Sequence, residues 1–363
     1  MGKCQTGVTI CGEQNRKKVI ENTMGMFDII KGIGIILVII EHTMGLFAIE
    51  EWLSGQKKLF VIGNMIRVIR TLLMPVFFII SGYGFRAVGI NKKSLRKQIN
   101  YLLKPYIYVA FFAAILLFVS HYFLFRYWKG AIIESLKVAG GFILGVEQTV
   151  SIDDIMVYGI GASWYILALF FSWIILLVIC QLFREKAYVG VCISLIVGWL
   201  LCMICPNMPF CIVQSLIGVG FLYFGYMAKK EKWFVTNMPW YGRCLLLLPV
   251  ITVFWGGGNF AYNQWKLGLL DIAGSMVAAY IVIKALLYLN YHTNIITSFL
   301  GKIGQLSLWV FCVHSIEMSG GLWYMIVQKY DQDPLLGACV VFGMRCIFIF
   351  ICVIGIQKVR FRR

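Results

Sequence analysis

The chain has 363 residues, 60% of them apolar, and a formal net charge of +17. A soluble domain is nearer half apolar. The mean hydropathy of +0.83, with recurring apolar runs of about 20 residues, the length that crosses a bilayer core, excludes an ordinary soluble enzyme. The runs are too long for the short alternating segments of a membrane β-barrel. The fold class expected is therefore an all-α polytopic membrane protein.

In chain order, residues 1–23 form a polar tail that is expected to be cytoplasmic, and the first 26 residues lack the pattern of a cleavable signal. A membrane domain is expected over 24–356, with a basic cytoplasmic tail over 357–363. About ten transmembrane helices are expected, near 27–49, 70–89, 101–124, 163–183, 187–205, 210–228, 243–256, 267–289, 306–328 and 335–356. Residues 131–147 are amphipathic and contain glycine, and they read as an interfacial or re-entrant helix.

The basic residues orient this frame. With the N-terminus inside, the inner loops hold Lys92, Lys93, Arg96 and Lys97, then Arg184 and Lys186, then Lys229, Lys230, Lys232 and Arg243. This asymmetry places both termini in the cytoplasm of a cell (plasma) membrane protein. No nucleic-acid motif accompanies the charge, and no nucleic-acid partner is expected. One outer loop breaks the pattern, with Lys57, Lys58, Arg67 and Arg70. Of twelve cysteines, Cys202, Cys205 and Cys211 come closest to a pattern, but they lack a fourth ligand. They read as small buried apolar groups, and no metal site is expected.

The first span, "DIIKGIGIILVIIEHTMG" from Asp28 to Gly45, carries an acid, a base and a histidine in a segment where charge is costly. Eleven residues separate Lys31 from His42, which is 1100° of helix and leaves an offset of about 20° over roughly 16 Å. The two therefore share a face, and Asp28 lies on the same stripe. Two readings stand: interfacial charges at the two ends of the helix, the lysine snorkelling to water, or one polar stripe lining a path through the membrane. Glu41 points about 100° away from His42. Gly32 and Gly34 leave room for a neighbouring helix.

The D-x2-K-G-x9-H pattern of this span resembles the first helix of the acyltransferase-3 family. "RVIR" (Arg67, Arg70) resembles that family's R-x2-R pair. "MPVFFIISGYGF", Met74 to Phe85, resembles its M-P-x-F-F-x-x-S-G-Y/F signature. "SWYILALF" resembles its W-F/Y-L-x-A-L segment and contains Trp164. "LGKIGQLSLWVFCVHS", Leu300 to Ser315, resembles its late serine-to-histidine segment, with Ser307 and His314 in register. Lys31 stands where the family often has arginine, and Ser315 where it often has proline. A lysine supplies a point charge without a planar fork.

The resemblance implies an integral membrane O-acyltransferase, of the fucose O-acetylase-like subgroup. Its donor would be acetyl-CoA or another acyl-CoA, and its acceptor a hydroxyl of a cell-surface glycan or lipid-linked sugar precursor. His42 suits the general base, since imidazole titrates near neutrality, or it carries the acyl group transiently; Asp28 and Lys31 accompany it. Arg67 and Arg70 share a helix face and suit coenzyme A phosphates, or else lipid headgroups. Ser81, Tyr83, Trp164, His314, Glu317 and Arg345 are expected to line the substrate pocket. Arg345, central in its span, needs a counter-charge from Glu317 or Asp271. His121 and His292 read as unremarkable. The rival class is a transporter of a sugar or lipid-linked glycan, although no inverted repeat of broken helices is visible.

Overall fold

A computed structural model describes residues 25–49, 60–87, 91–236, 245 and 247–361. The tail 1–23, Lys57, Lys58, Arg243 and the Arg67 side chain lie outside the described residues. Helices dominate. We label them α1 (Asp28–Leu46), α2 (Phe60–Tyr83), α3 (Lys92–Phe125), α4 (Trp128–Leu144), α5 (Trp164–Phe183), α6 (Ala187–Ile204), α7 (Ile212–Lys230), α8 (Leu247–Phe254), α9 (Leu269–Leu287), α10 (Ile295–Gln305), α11 (Ser307–Gly320), α12 (Tyr324–Val327) and α13 (Pro334–Phe361). Two antiparallel hairpins interrupt them: β1 (Val150–Ile152) with β2 (Ile155–Val157), and β3 (Gly258–Asn259) with β4 (Gln264–Trp265).

The chain is a multi-pass membrane protein. Among the described residues six helical stretches are long and apolar enough to cross a bilayer, or seven if the bent pair α10–α11 forms one span. That is fewer than the ten expected. One stretch, Gly161–Ile204, is 44 residues long and folds back on itself. Arg184 takes a positive φ of 46°, and a Cβ on Gly190 would come within 2.6 Å of Ile179. Its arms α5 and α6 therefore lie side by side. Among the described residues, the expected seventh span shows the eight residues of α8. The expected ninth stops at Gly320, and its start is bent by 69° from α10. The stretch read as interfacial is the 17-residue helix α4, which packs along α3. It ends at Gly145, whose φ of +62° turns the chain out of the helix.

Exposed apolar side chains ring the bundle: Phe111, Phe112 and Ile115 on α3, Ile193 and Ile196 on α6, Ile347, Phe350 and Ile351 on α13. In hydrocarbon such a surface needs no cover, whereas every backbone polar group must be satisfied within its own helix. Cohesion between the helices comes instead from close backbone approach at small residues. A Cβ on Gly32 of α1 would lie 2.1 Å from the Leu300 carbonyl oxygen of α10, and one on Gly304 would lie 1.7 Å from the Asp28 oxygen. Helices α2 and α7 repeat the device, with Gly82 against Leu222 and Gly225 against Ile79.

The two ends of the bundle differ. At one end Asp28 and Lys31 pair at 2.6 Å, and Tyr83 packs its ring 5.0 Å from Phe27, with Lys229 5.7 Å above it. Both β-hairpins stand at the other end, beyond His42.

Gly32→Leu is expected to lower the thermal midpoint of the detergent-solubilised protein, with an overpacking cost of about 1–3 kcal/mol. Gly343→Ala, where a Cβ meets nothing within 4 Å, should leave the midpoint unchanged or higher.

Candidate active site

A cavity of about 550 Å³ opens at the His42 end of the bundle, within the roughly 300–1,000 Å³ range of small-molecule sites. Helix α1 contributes Glu41 and His42, α2 contributes Arg70, α5 contributes Trp164 and α13 contributes Arg345. The loops add Glu147, Asn259, Tyr262, Trp323 and Tyr324.

Behind His42 lies a chain of buried polar groups. The His314 ring of α11 stands 5.4 Å from the His42 ring, centroid to centroid. His314 Nδ1 lies 2.6 Å from Glu317 Oε1, one helical turn away. The other carboxylate oxygen is 3.4 Å from Arg345 Nε, an ion pair without good hydrogen-bond alignment. Arg345 donates to Thr43 Oγ1 at 3.0 Å and stacks over Trp323 at 5.1 Å. The Trp323 indole in turn donates to the Glu317 carbonyl oxygen at 3.0 Å. His314, Glu317 and Arg345 are each at most 2% exposed. Paired burial of this kind tolerates charge that an isolated group would not.

The carboxylate on Nδ1 settles the roles of the His314 ring atoms: Nδ1–H donates to Glu317, and Nε2 is left as an acceptor. Nε2 has no partner among the described residues. The two imidazole rings meet at a tilt of 42°, so His314 bounds the His42 ring from behind.

On the opposite wall Arg70 Nε pairs with Glu41 Oε1 at 2.7 Å. Glu41 Oε2 lies 3.5 Å from His42 Nδ1. Although Glu41 and His42 leave the helix about 100° apart, the long carboxylate reaches round to both partners. Glu147, after the end of α4, has a buried Oε2 without a hydrogen-bond partner among the described residues. Burial pushes its carboxyl up to about 8, so the neutral acid is favoured at pH 7.

The structure therefore brings His42, Arg70, Trp164, His314, Glu317 and Arg345 to one place. It does not bring Asp28 and Lys31 there; they pair with each other near the opposite end of α1, roughly 16 Å away. Ser81 and Tyr83 also stand at that end. Ser81 is 3.5 Å from the Tyr165 hydroxyl and lines a separate cavity of about 340 Å³ with Lys97, Gln98 and Tyr101. Of the two acids considered for Arg345, Glu317 is the partner. Asp271 accepts instead from the backbone N–H of Leu267 at 2.8 Å and of Gly257 at 3.4 Å. Glu41, Thr43, Glu147 and Trp323 were not expected to contribute. Glu41 was visible as an acid beside His42, but nothing local marked the other three.

This order of polar elements, spread from α1 to α13, is matched by the acyltransferase-3 model, an acyltransferase domain, over residues 25–355. The chain belongs to the acyltransferase-3 family. No curated protein and no solved structure gives a match. As an acyltransferase-3 protein, the chain is assigned to membrane acyl transfer.

Glu317→Ala strands Arg345 in the core and should cost about 3–5 kcal/mol, read as a lower thermal midpoint. The double variant Glu317→Ala/Arg345→Met should recover much of that loss. A second prediction concerns pH. The folded state holds the Glu147 proton above its unfolded pKa of about 4.3, so this residue's contribution to stability is complete below that pH. It declines as pH rises toward about 8. Glu147→Gln should therefore raise the thermal midpoint relative to wild type at pH 9 more than at pH 5.

Proposed function

We propose that the protein is an O-acyltransferase that moves an acyl group, acetyl in the simplest case, from acyl-CoA to a hydroxyl of a cell-surface glycan or its lipid-linked precursor. A fucose O-acetylase-like member of the family is the type we favour. The observation that carries the proposal is His42 on the wall of the cavity with His314, Glu317 and Arg345 stacked behind it. An imidazole flanked by a second imidazole, with the Glu41 carboxylate 3.5 Å from its Nδ1, suits base catalysis on an alcohol.

The acceptor hydroxyl attacks the thioester carbonyl carbon while His42 takes its proton. The C–O bond forms, the C–S bond breaks, and coenzyme A leaves as thiolate, which recovers the proton from the imidazolium. Arg70 supplies positive charge for the developing oxyanion or for the donor's phosphates. Its pairing to Glu41 holds the guanidinium in place. Arg67, three residues earlier, is assigned with it to donor binding on the sequence pattern. Asp28 and Lys31 are given no chemical step, since their mutual ion pair supports a role in anchoring the first turn of α1.

The proposed setting is the cell membrane, with both termini in the cytoplasm. The basic residues 92–97 and 229–232 then mark the cytoplasmic face, and His42 lies toward the outer one. The Ser81 and Tyr83 side, where Lys97 lines the smaller cavity, then faces the cytoplasm.

Purified protein in nanodiscs, given labelled acetyl-CoA and a panel of surface polysaccharides, is expected to yield acetylated glycan. His42→Ala should lower the rate by about 10²- to 10⁴-fold with unchanged expression and elution volume. Full activity in that variant would remove the base. Sugar flux into vesicles without any acyl donor would favour a transporter instead.

A further inference from the structure

The His42 cavity continues past Glu147. A second chamber, of about 920 Å³, shares Glu147, Gly161, Tyr262, Met318 and Tyr324 with it. Four separate segments build its far wall. They are the end of α3 with His121, one face of α4 with Glu134, the β1–β2 hairpin flanked by Thr149 and Tyr158, and β4 with Gln264.

The chemistry of this wall is distinctive. Glu134 accepts from the Tyr158 hydroxyl and from Lys137 Nζ at 2.7 Å. Burial alone would raise the Glu134 carboxyl, but those two hydrogen bonds outweigh it and hold the group below its ordinary range. It is thus a fixed acceptor. The amides of Gln148 and Gln264 and the hydroxyl of Thr149 both donate and accept. Two buried polar atoms, His121 Nδ1 and Glu147 Oε2, have no hydrogen-bond partner among the described residues. A buried polar group left unsatisfied is destabilising, so both are suited to a ligand that completes them. The rings of Tyr158, Tyr262 and Tyr324 add flat apolar faces.

We propose that this chamber is the acceptor subsite. It holds a polyhydroxylated sugar ring and presents one hydroxyl past Glu147 to His42. Mixed donors and acceptors beside aromatic faces match a sugar, whose hydroxyls both give and take hydrogen bonds while its C–H faces pack on rings. The lining does not match the donor, because among the described residues no lysine or arginine lines the chamber to bind the phosphates of coenzyme A. It does not match an acyl chain, because the carboxyl, amide and hydroxyl groups of Glu134, Glu147, Gln148, Thr149 and Gln264 interrupt its apolar surface. The inference rests on the acyl-transfer proposal above and adds which side of the site receives the acceptor. Glu134 and Tyr158 are positioning residues and take no part in bond making.

Two measurements test it. The first is acetyl transfer by wild type, Glu134→Gln and Tyr158→Phe, with acceptor and acetyl-CoA varied separately. Loss of a hydrogen bond should raise the KM for the sugar about fivefold, with the KM for acetyl-CoA unchanged. The second is binding, without donor, of tritium-labelled oligosaccharides released from a panel of surface polysaccharides. Wild type should bind at least one. Gln264→Trp, at an exposed rim position, should obstruct the chamber mouth and block binding while the elution volume stays that of wild type. Unchanged sugar KM in both variants, or a rise in the acetyl-CoA KM instead, overturns the subsite and leaves acyl transfer standing. Oligosaccharide binding that Gln264→Trp blocks, in a protein that transfers no acetyl, overturns acyl transfer and leaves the subsite standing. Failure of wild type to bind any oligosaccharide in the panel overturns the subsite.

Discussion

The buried contact among His314, Glu317 and Arg345 governs the architecture at the His42 end. A guanidinium at 2% exposure in an apolar bundle is tolerated only beside a counter-charge. Supplying that charge forces α11 and α13 together around Glu317. The same arginine donates to Thr43 and so brings in α1. Three helices, two near the C-terminal end of the chain and one near its start, are thus registered by one carboxylate and one guanidinium. The register places His314 behind His42. Without it the two rings would belong to helices held only by dispersion forces, which specify depth and rotation weakly.

The remaining cohesion is of a different kind. Gly32 and Gly304, then Gly82 and Gly225, let backbones meet at distances no side chain permits. These contacts hold α1 on α10 and α2 on α7. The glycine contacts define which helices touch, and the polar chain defines how they are rotated at the His42 end. Arg70 and Glu41 add a cross-link between α1 and α2 at the same level, at 2.7 Å. The site is therefore fixed from two walls, while the loops carrying Glu147, Asn259 and Tyr262 close it from the third.

The two cavities at the His42 end divide the chemistry by charge. The inner one is bounded by Arg70 and Arg345 as well as Glu41 and His42, so it combines cations with a titratable ring. The outer chamber holds carboxyl, amide and hydroxyl groups. Glu147 stands where they meet. Under the proposed acyl transfer, the cations of the inner cavity suit an anionic donor and the amides and hydroxyls of the outer chamber suit a hydroxyl-rich acceptor.

Much of this was legible before any coordinates. Apolar run length declares the helical membrane class because hydrocarbon forces every backbone group to be satisfied within its own segment. Ionisable residues inside those runs mark the site because their burial is costly without a purpose; His42, Glu317 and Arg345 stand out that way, whereas Arg70 and His314 are marked by the family resemblance. Helical periodicity alone placed Lys31 on the face of His42, yet Lys31 lies at the far end of the helix, paired with Asp28. A shared face does not imply a shared depth. Nor does sequence state that Glu41 reaches both Arg70 and His42, that Asp271 caps a loop while Glu317 meets Arg345, or that Glu147 and Tyr262 belong to the cavity. Those depend on how long side chains bend and how loops return over the bundle. They are tertiary decisions, made by packing between different helices and the loops that return over them, where no local pattern carries the information.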